Sequence, residues 1–525
     1  MSFILSQNAK DETCITLFKD VDGEIIKSLL DITNNEVFYN DTVTISLNAL
    51  FQHISSIKSS VEAGNFALIE LLELLNEQFK DRLVQLERMV ADNRVTFKNL
   101  KSVLGVGTKF TAQTTFDQPV GGMVVNTEEV VIKGTPYFIV TGSFLMTKGQ
   151  NVQAKNKDFY IPYYGGVRSI SDLEVRPILP EEEEALKSRG AMFAQLISKP
   201  MYKYYTGNMW VDTFFGPQKF PATGRIMVDP VSYAEFNPSG DYERGHGDRN
   251  RLSINIIPED MYWNTWPFIQ GFSFATKRWG QIFVSGISDI DFCVNAFDSL
   301  VLDQDTKDMM KSLVLNSEFS FKDIISEKSG SCIFLLHGPP GIGKTLTCES
   351  ISEMLKLPLY SVTVGELGTS PQELEQQLTR ILAVANMWKA VVLLDEADVF
   401  METRTTVDVN RNAMVSIFLR LLERNQSIMF LTTNRADNID PAFKSRISIT
   451  IAYKQLEQQA RKQVWANLLQ AANLQVESPD VLEQISHIEL NGRQIKNTIR
   501  MAQSLSINSK ILELQTIQKV VQFVK

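Results

Sequence analysis

The chain has 525 residues, of which 44% are hydrophobic and 22% charged, and this composition predicts a globular protein of two or three domains. The formal net charge of −9 disfavours a protein coated in nucleic acid, although a local basic groove stays open. No apolar stretch reaches the roughly 18 residues that a membrane span needs. Four cysteines without metal-ligand spacing, and an N-terminus without the features of a signal peptide, indicate a soluble intracellular protein of the cytoplasm or nucleus.

The N-terminal region, residues 1–109, is predicted to contain short strands followed by a long helix. Short apolar runs predict strands at Cys14–Phe18, Glu24–Leu30, Glu36–Tyr39 and Thr42–Leu47. From Leu68 to Leu104 apolar residues recur at steps of three and four, with Asn93 as the polar exception, and a continuous helix there would be about 55 Å long. The pattern favours a helix packed on its own domain, and a self-associating or partner-binding coil is the alternative. A protein that starts near Phe110 is therefore predicted to fold and to bind nucleotide.

Residues 110–294 are predicted to form a β-rich module. Apolar runs separated by glycine turns lie on both sides of a helix predicted at Ala185–Ile197. The acidic run Glu181–Glu184 before that helix is interpreted as a cap and a solvated face, because acids at a helix start favour its dipole. The many aromatic residues of the second β-rich part are interpreted as core, with stacking of nucleic-acid bases as the alternative.

Residues 338–345 read Gly-Pro-Pro-Gly-Ile-Gly-Lys-Thr and follow the apolar run Cys332–Leu336. Glycines let successive backbone N–H groups point at phosphate oxygens, and the helix pattern that begins next adds its N-terminal dipole. Lys344 can then reach the β- and γ-phosphates, and Thr345 can hold Mg²⁺. The sequence thus predicts that ATP and Mg²⁺ are bound by Gly338, Pro339, Pro340, Gly341, Ile342, Gly343, Lys344, Thr345 and Leu346.

An apolar strand predicted at Val391–Leu394 ends in the acid pair Asp395 and Glu396. Ligands of open α/β sheets collect at the carboxyl ends of strands. Asp395 is therefore predicted to bind the cofactor through the Mg²⁺ shell, and Glu396 to polarise the attacking water. Two adjacent acids favour an ATPase that hydrolyses with water over a GTPase or a kinase.

The neighbouring elements complete a βα pattern. A strand is predicted at Leu359–Val364, and a helix begins after Ser370 with a capping box closed by Glu373. A helix at Ala413–Leu422 precedes a strand that ends at Asn434, which is predicted to face the γ-phosphate or the water. The predicted fold of residues 295–453 is an α/β core, a parallel sheet with helices on both faces.

These motifs resemble those of the AAA ATPases, part of the AAA+ superfamily, and are most similar to fungal-type AAA ATPases with an N-terminal α+β module. The resemblance covers roughly residues 155–525. The strand with Asn434 looks like the family's sensor strand, and Ile439–Arg446 looks like the segment that carries its arginine finger. The resemblance implies that Arg446 reaches a neighbouring subunit's nucleotide, that Arg493 senses the γ-phosphate, and that residues 454–525 form a helical lid.

The resemblance also implies Mg-ATP hydrolysis by a homo-oligomer, a hexameric ring, that remodels a macromolecular partner, most simply a protein. Two departures keep alternatives open. The segment Val364–Pro371 is short and lacks an aromatic residue for gripping a peptide, and Ser445-Arg446 is similar to the clamp-loader pattern. The alternatives are a clamp-loader-like, DNA-stimulated ATPase and a scaffold whose assembly ATP controls with slow turnover. Nucleic acid is possible as a partner but not favoured.

Overall fold

The computed structural model describes residues 3–8, 12–33, 36–51, 53–149, 151–237, 253–254, 256–315, 332–403, 409–435, 439–506 and 510–524. The chain divides into two compact units, Met1–Ser288 and Asp289–Lys525. In the described residues, no helix combines the length and the apolar composition that crossing a membrane requires. The domain boundaries proposed from the sequence, after residues 109, 294 and 453, stay predictions.

The first unit begins with a small antiparallel sheet and helices around one core. The elements are β1 (Ile4–Gln7), β2 (Thr13–Phe18), α1 (Lys19–Thr33), β3 (Thr42–Ser46), α2 (Leu47–Phe51), α3 (Ile54–Glu62), α4 (Ile69–Gln78) and α5 (Lys80–Ala91). The strand order is β1-β2-β3. The predicted strands at Glu24–Leu30 and Glu36–Tyr39 are wrong, since the first lies in α1 and the second is a 3-10 helix. In α1, Ile26 and Leu29 are buried in the core three residues apart, which is helical spacing.

The continuous helix predicted from Leu68 to Leu104 is also wrong. The helix breaks at Phe79, with φ −112° and ψ 19°, between α4 and α5. The chain then leaves α5 through Asn93, whose φ is 59°, into β4 (Arg94–Thr96), a 3-10 helix and α6 (Leu100–Val103). The physical reason is that one end of the stripe, around Leu75, is buried in the first core, and the other end is buried in a second core. Apolar residues continue to recur at helical spacing along the sequence, but those at the two ends pack into different cores.

Antiparallel sheets, the helices α7 and α8, and short 3-10 helices make up the remainder of the first unit. The elements are β5 (Lys109–Gln113), β6 (Pro119–Ile132), β7 (Thr135–Lys148), β8 (Asn151–Pro162), β9 (Val167–Ser169), β10 (Val175–Pro177), α7 (Pro180–Leu196), β11 (Met201–Tyr205), β12 (Asn208–Thr213), β13 (Gly216–Pro221), β14 (Gly224–Val228), α8 (Pro230–Phe236), β15 (Ser253–Ile254), β16 (Phe268–Ser273), β17 (Arg278–Phe283) and β18 (Ile287–Ser288). One sheet has the order β10-β5-β6-β7-β8-β15, another the order β13-β12-β17-β16-β14-β11-β18, and β4 pairs with β9.

The aromatic and acidic residues of this module differ in how well they match the sequence-based interpretations. The aromatic residues include buried core members such as Tyr205, Trp263 and Trp279, as the core interpretation predicted. The acidic run at the start of α7 is only partly a solvated face. Glu182 accepts a hydrogen bond of 3.1 Å from the backbone N–H of Leu179 and pairs at 2.5 Å with Arg176 of the edge strand β10.

The second unit contains a parallel sheet covered by helices. Its elements are α9 (Gln304–Leu315), β19 (Ile333–His337), α10 (Lys344–Leu355), β20 (Leu359–Thr363), α11 (Pro371–Trp388), β21 (Val391–Asp395), α12 (Asp398–Met401), α13 (Val409–Glu423), β22 (Met429–Thr433), α14 (Pro441–Lys444) and β23 (Ile449–Ala452). The order is β20-β21-β22-β19-β23, and neighbouring strands pair in parallel. Phe334 of β19 and Phe430 of β22 stack in the core with ring centroids 4.7 Å apart. The predicted α/β core is confirmed.

A helical subdomain follows this sheet, as the sequence predicted. It comprises α15 (Gln458–Ala471), β24 (Gln475–Val476), α16 (Pro479–Ser486), α17 (Gly492–Leu505), β25 (Ile511–Leu512) and α18 (Leu514–Val524). Trp465, Ile485, Ile495 and Ile517, one from each helix, are fully buried in a common core. Helix α18 was not predicted as a separate element.

Candidate nucleotide site

The order of the strands places the two nucleotide motifs on one edge of the sheet. The phosphate loop, residues 338–343, connects β19 to α10, and the acid pair follows β21. Strand β22, which ends just before Asn434, lies between β19 and β21. Carboxyl ends of parallel strands meet at the same sheet edge, where open α/β sheets bind ligands. The asparagine is therefore positioned between the loop and the acids.

The phosphate loop has a backbone that requires glycine. Gly338, Gly341 and Gly343 have φ values of 142°, 77° and 104°, a region that residues with a side chain rarely adopt. A Cβ atom at Gly338 would lie 2.3 Å from the carbonyl oxygen of Tyr453, and one at Gly341 would lie 2.8 Å from Oδ1 of Asn491. The loop thus has the conformation and the close packing expected of a backbone cradle for an anion.

Lys344 lies inside this loop. Its Nζ donates hydrogen bonds to the carbonyl oxygens of Gly338 at 2.6 Å and Pro339 at 2.9 Å, and to Oδ1 of Asn434 at 2.7 Å. Burial lowers the pKa of Lys344, and the Asp395 carboxylate opposes that shift. The Lys344 ammonium is therefore held at the phosphate loop, where phosphate oxygens could replace the carbonyl oxygens as its hydrogen-bond acceptors.

Thr345 and Asp395 form the oxygen-rich part of the site. Oγ1 of Thr345 lies 3.4 Å from both carboxylate oxygens of Asp395. Oδ1 of Asp395 also accepts a hydrogen bond of 2.5 Å from Oγ1 of Thr432. Mg²⁺ prefers such hard oxygen ligands and commonly uses one or two protein groups together with substrate phosphates. The donor set fits Mg²⁺, although the described residues contain no cluster of three or more His, Cys, Asp or Glu side chains.

Glu396 follows Asp395 directly in the sequence, and Asn434 follows the neighbouring strand β22. Glu396 follows β21 in a left-handed conformation, φ 56°, and is exposed. Its backbone N–H donates to Oγ1 of Thr432 at 2.9 Å, which fixes the turn that carries its carboxylate. Asn434 is exposed apart from its contact with Lys344. The remaining predicted cofactor residues lie in the loop or beside it: Pro339 and Pro340 are exposed, Ile342 packs against the sheet core, and Leu346 is 52% exposed.

Arg493 comes to the loop from the helical subdomain. Its backbone N–H donates to the carbonyl oxygen of Gly341 at 3.1 Å. Its guanidinium adds a smaller contribution to the lowered pKa of Lys344, of which burial is the main cause. Asn491, two residues before Arg493, caps α17: its Oδ1 accepts a hydrogen bond of 2.8 Å from the backbone N–H of Gln494. The N-terminus of α17 is thus in direct contact with the phosphate loop.

Arg446 is not brought to the phosphate loop of its own chain. Its NH1 group donates to the carbonyl oxygen of Ala442 at 2.7 Å, and its NH2 group pairs with Oε1 of Glu423 at 2.5 Å. Both partners lie at the ends of helices, α14 and α13. A role of Arg446 at a neighbouring subunit's nucleotide stays a prediction.

Three residues at this site were missed by the sequence analysis. Thr432 holds both members of the acid pair, Tyr453 packs on Gly338 and shares a hydrogen bond of 2.7 Å with Thr347, and Asn491 packs on Gly341. A signal existed for Asn491, because Asn491 and Gln494 have capping-box spacing just around Arg493. The hydroxyls of Thr432 and Tyr453 meet their partners only through the strand order, which short-range patterns do not contain.

Comparison with known proteins agrees with this geometry. Residues 334–455 match the family described as "ATPase family associated with various cellular activities (AAA)". Residues 85–180 match a domain of unknown function, DUF7025, and this match crosses the boundary predicted after residue 109. It also begins upstream of the residues in which the sequence analysis recognised a resemblance.

The relatives share part of the chain. A putative 26S proteasome regulatory subunit homolog of Methanothermobacter thermautotrophicus is 26% identical over 174 residues, which is 31% of this chain and 46% of the relative. Nuclear valosin-containing protein-like of Mus musculus is 32% identical over 121 residues, which is 21% of this chain and 14% of the relative. The chain therefore spans less than half the length of these relatives. The crystal structure of the FIGL-1 AAA domain aligns with a TM-score of 0.36 at 18% identity, over 44% of this chain and 84% of that one. By the family match, residues 334–455 form an ATPase domain of the AAA family.

Proposed function

We propose that the second unit binds and hydrolyses Mg-ATP, and that a ring of these chains, a hexamer, uses the hydrolysis to remodel a macromolecular partner, most simply a protein. The observation that carries this proposal is the convergence of Lys344, Thr345, Asp395 and Asn434 on one edge of the sheet. These groups lie at the start of α10, at the end of β21 and just after β22, and they offer a cation, metal-ligating oxygens and an amide beside an anion cradle. That combination suits phosphoryl transfer to water.

The resting contacts of the site suggest how the ligand is held. Lys344 would exchange its carbonyl acceptors for the β- and γ-phosphate oxygens, which carry more charge. Thr345 and Asp395 would hold Mg²⁺, which when bound neutralises charge that develops on the phosphates. Thr432 would keep Asp395 in place, since its hydroxyl occupies one carboxylate oxygen and leaves the other available.

Water activation is assigned to Glu396 with Asn434. The exposed Glu396 carboxylate stands on a turn fixed by Thr432, so it can accept a hydrogen bond from a water that approaches from solvent. Asn434, released from Lys344, can orient the same water. Arg493 is assigned to sensing the γ-phosphate, because its backbone already contacts the phosphate loop.

The proposed ring follows from the position of Arg446. Its guanidinium lies away from the phosphate loop of its own chain, so we assign it to the nucleotide of a neighbour. An arginine supplied in this way can be worth about 10³–10⁵ in rate. A single chain should then bind ATP but turn it over very slowly.

The roles of cradle and water activation can be separated by two substitutions. Lys344→Ala should abolish binding of a fluorescent ATP analogue, whereas Glu396→Gln should bind it about as tightly as the unaltered protein and release almost no phosphate. Lys311→Ala, on α9, is the matched control for loss of a lysine. Equal loss of ATP binding in the Lys344 and Glu396 variants would refute this division of roles. Full ATP turnover by Lys344→Ala would refute the assignment of the phosphate loop as the nucleotide site.

A further inference from the structure

The ion pair between Glu423 and Arg446 joins two helix ends of the second unit. Glu423 is the last residue of α13, and Arg446 follows α14 closely. NH2 of Arg446 lies 2.5 Å from Oε1 of Glu423, and the side chains are 27% and 55% exposed respectively. The contact holds the guanidinium against the subunit that carries it.

Two features of this contact argue against a purely stabilising purpose. A carboxylate at the C-terminal end of a helix opposes the helix dipole, so Glu423 is in an unfavourable position for α13 itself. The Nε of Arg446 is buried and, in the described part of the chain, has no hydrogen-bond partner. A buried donor without an acceptor costs free energy. The pair therefore holds Arg446 in a position where one of its hydrogen-bond donors, Nε, is buried without an acceptor in the described part of the chain.

We propose that Glu423 is a latch that keeps Arg446 on its own subunit until a neighbouring subunit presents bound ATP. This inference rests on the proposed function, since it assigns Arg446 to the neighbour's nucleotide. The terminal phosphate carries more charge than one carboxylate and offers more acceptor oxygens. A half-exposed ion pair is weak enough to be exchanged for it. Glu423 acts as a positioning residue, through Arg446, and touches no substrate.

The latch predicts a competition that can be measured. If the latched state is favoured by the strength of a typical exposed ion pair, removing Glu423 should raise the fraction of free Arg446 by roughly two- to fivefold. The same factor should appear in ATP turnover at protein concentrations that limit assembly. At saturating ATP and high protein concentration the difference should shrink, because the neighbour's nucleotide already outcompetes the latch.

The experiment compares Glu423→Ala with Glu375→Ala in the full chain. Glu375, on α11, pairs at 2.5 Å with Arg420 of α13. The control therefore removes an equivalent ion pair that does not involve Arg446. Both changes place alanine in a helix, where its propensity is high. One readout is the rate at which phenylglyoxal modifies Arg446 without nucleotide, followed by peptide mass spectrometry. The other is phosphate release at limiting protein concentration.

Glu423→Ala should increase both rates about two- to fivefold, Glu375→Ala should leave both unchanged, and Glu423→Ala with Arg446→Ala should lose the gain in turnover. Equal labelling of Arg446 in the two single variants would overturn the latch. So would faster labelling without faster turnover, because the arginine would then be freed without effect. If the unaltered protein binds ATP but never hydrolyses it, the proposed function fails on its own, while the labelling still decides whether the ion pair restrains Arg446.

Discussion

Thr432 connects the two acidic residues of the site through a single hydroxyl. The hydroxyl donates to Asp395 and accepts from the backbone N–H of Glu396, and the side chain is 1% exposed. Groups that orient a metal-ligating carboxylate commonly affect metal affinity or activity by about 10- to 100-fold. Thr432 therefore has a testable role that acts through Asp395 and Glu396.

Thr432→Val keeps the shape of the side chain and the β-branch that suits β22, but it removes this hydroxyl. We expect ATP turnover to need about 10-fold more Mg²⁺ for half-maximal rate, since Asp395 loses its support. The measurement is phosphate release against Mg²⁺ concentration. Thr450→Val, on the exposed side of β23, should change nothing. An unaltered Mg²⁺ requirement in Thr432→Val would mean that Asp395 is positioned by other contacts or does not hold the metal.

At the scale of elements, helix α17 and the phosphate loop form one contact. Asn491 caps the helix and packs on Gly341, and the N–H of Arg493 bonds to the carbonyl oxygen of the same glycine. Movement of the loop on binding a phosphate should therefore be transmitted to the helical subdomain. The helix end is both capped by Asn491 and in contact with the phosphate loop.

Asn491→Ala should lower stability by about 1 kcal/mol, the usual effect of losing an N-cap, and should also weaken ATP binding. Ser370→Ala is the matched control, because Ser370 caps α11 in the same unit through an equivalent capping box but does not appear among the contacts of the phosphate loop. We expect the two variants to lower the melting temperature similarly and only Asn491→Ala to lower ATP affinity. Similar ATP affinities in both would show that the cap does not support the loop.

Elements with local signals were predictable from the sequence. The phosphate loop, the acid pair and the capping box of α11 each lie within a few consecutive residues, and each is found where expected. The contacts of Thr432 with Asp395 and of Tyr453 with Thr347 span 37 and 106 residues, so they depend on strand order. The prediction of one continuous helix from Leu68 to Leu104 was wrong for a different reason. The apolar residues recur with helical spacing, but the two ends of the segment are buried in different cores.

At the scale of the whole molecule, the phosphate loop, the acid pair and both candidate arginines lie within Asp289–Lys525. The first unit contains none of the residues assigned to phosphate chemistry. The β module of this unit, however, shares its hydrophobic core with residues that precede β5 in the sequence. Val95, Leu100 and Leu104 are fully buried beside Phe110.

The expectation that a protein starting at Phe110 folds throughout must therefore be revised. Such a protein loses several buried side chains, each worth about 2–5 kcal/mol, against a typical total stability of about 5–15 kcal/mol. We expect it to lose the melting transition of the first unit and to keep ATP binding. A protein starting at Asp92 should keep ATP binding and the melting transition of the β module, because the buried side chains it loses lie in the separate core around Leu75. Calorimetry with and without ATP tests this, and a folded first unit in the shorter protein, or lost ATP binding in either, would contradict it.

We propose that ATP is hydrolysed at a site completed by a neighbouring chain. Arg446→Ala and Lys344→Ala proteins should each be nearly inactive alone, the first for want of the neighbour's arginine and the second for want of nucleotide. In a mixture, a Lys344→Ala subunit can supply its arginine to the intact nucleotide site of an Arg446→Ala subunit. Phosphate release measured across mixing ratios should therefore exceed both parents and peak near equal proportions. A mixture as inactive as its parents at every ratio would show that Arg446 does not act at a neighbour's nucleotide.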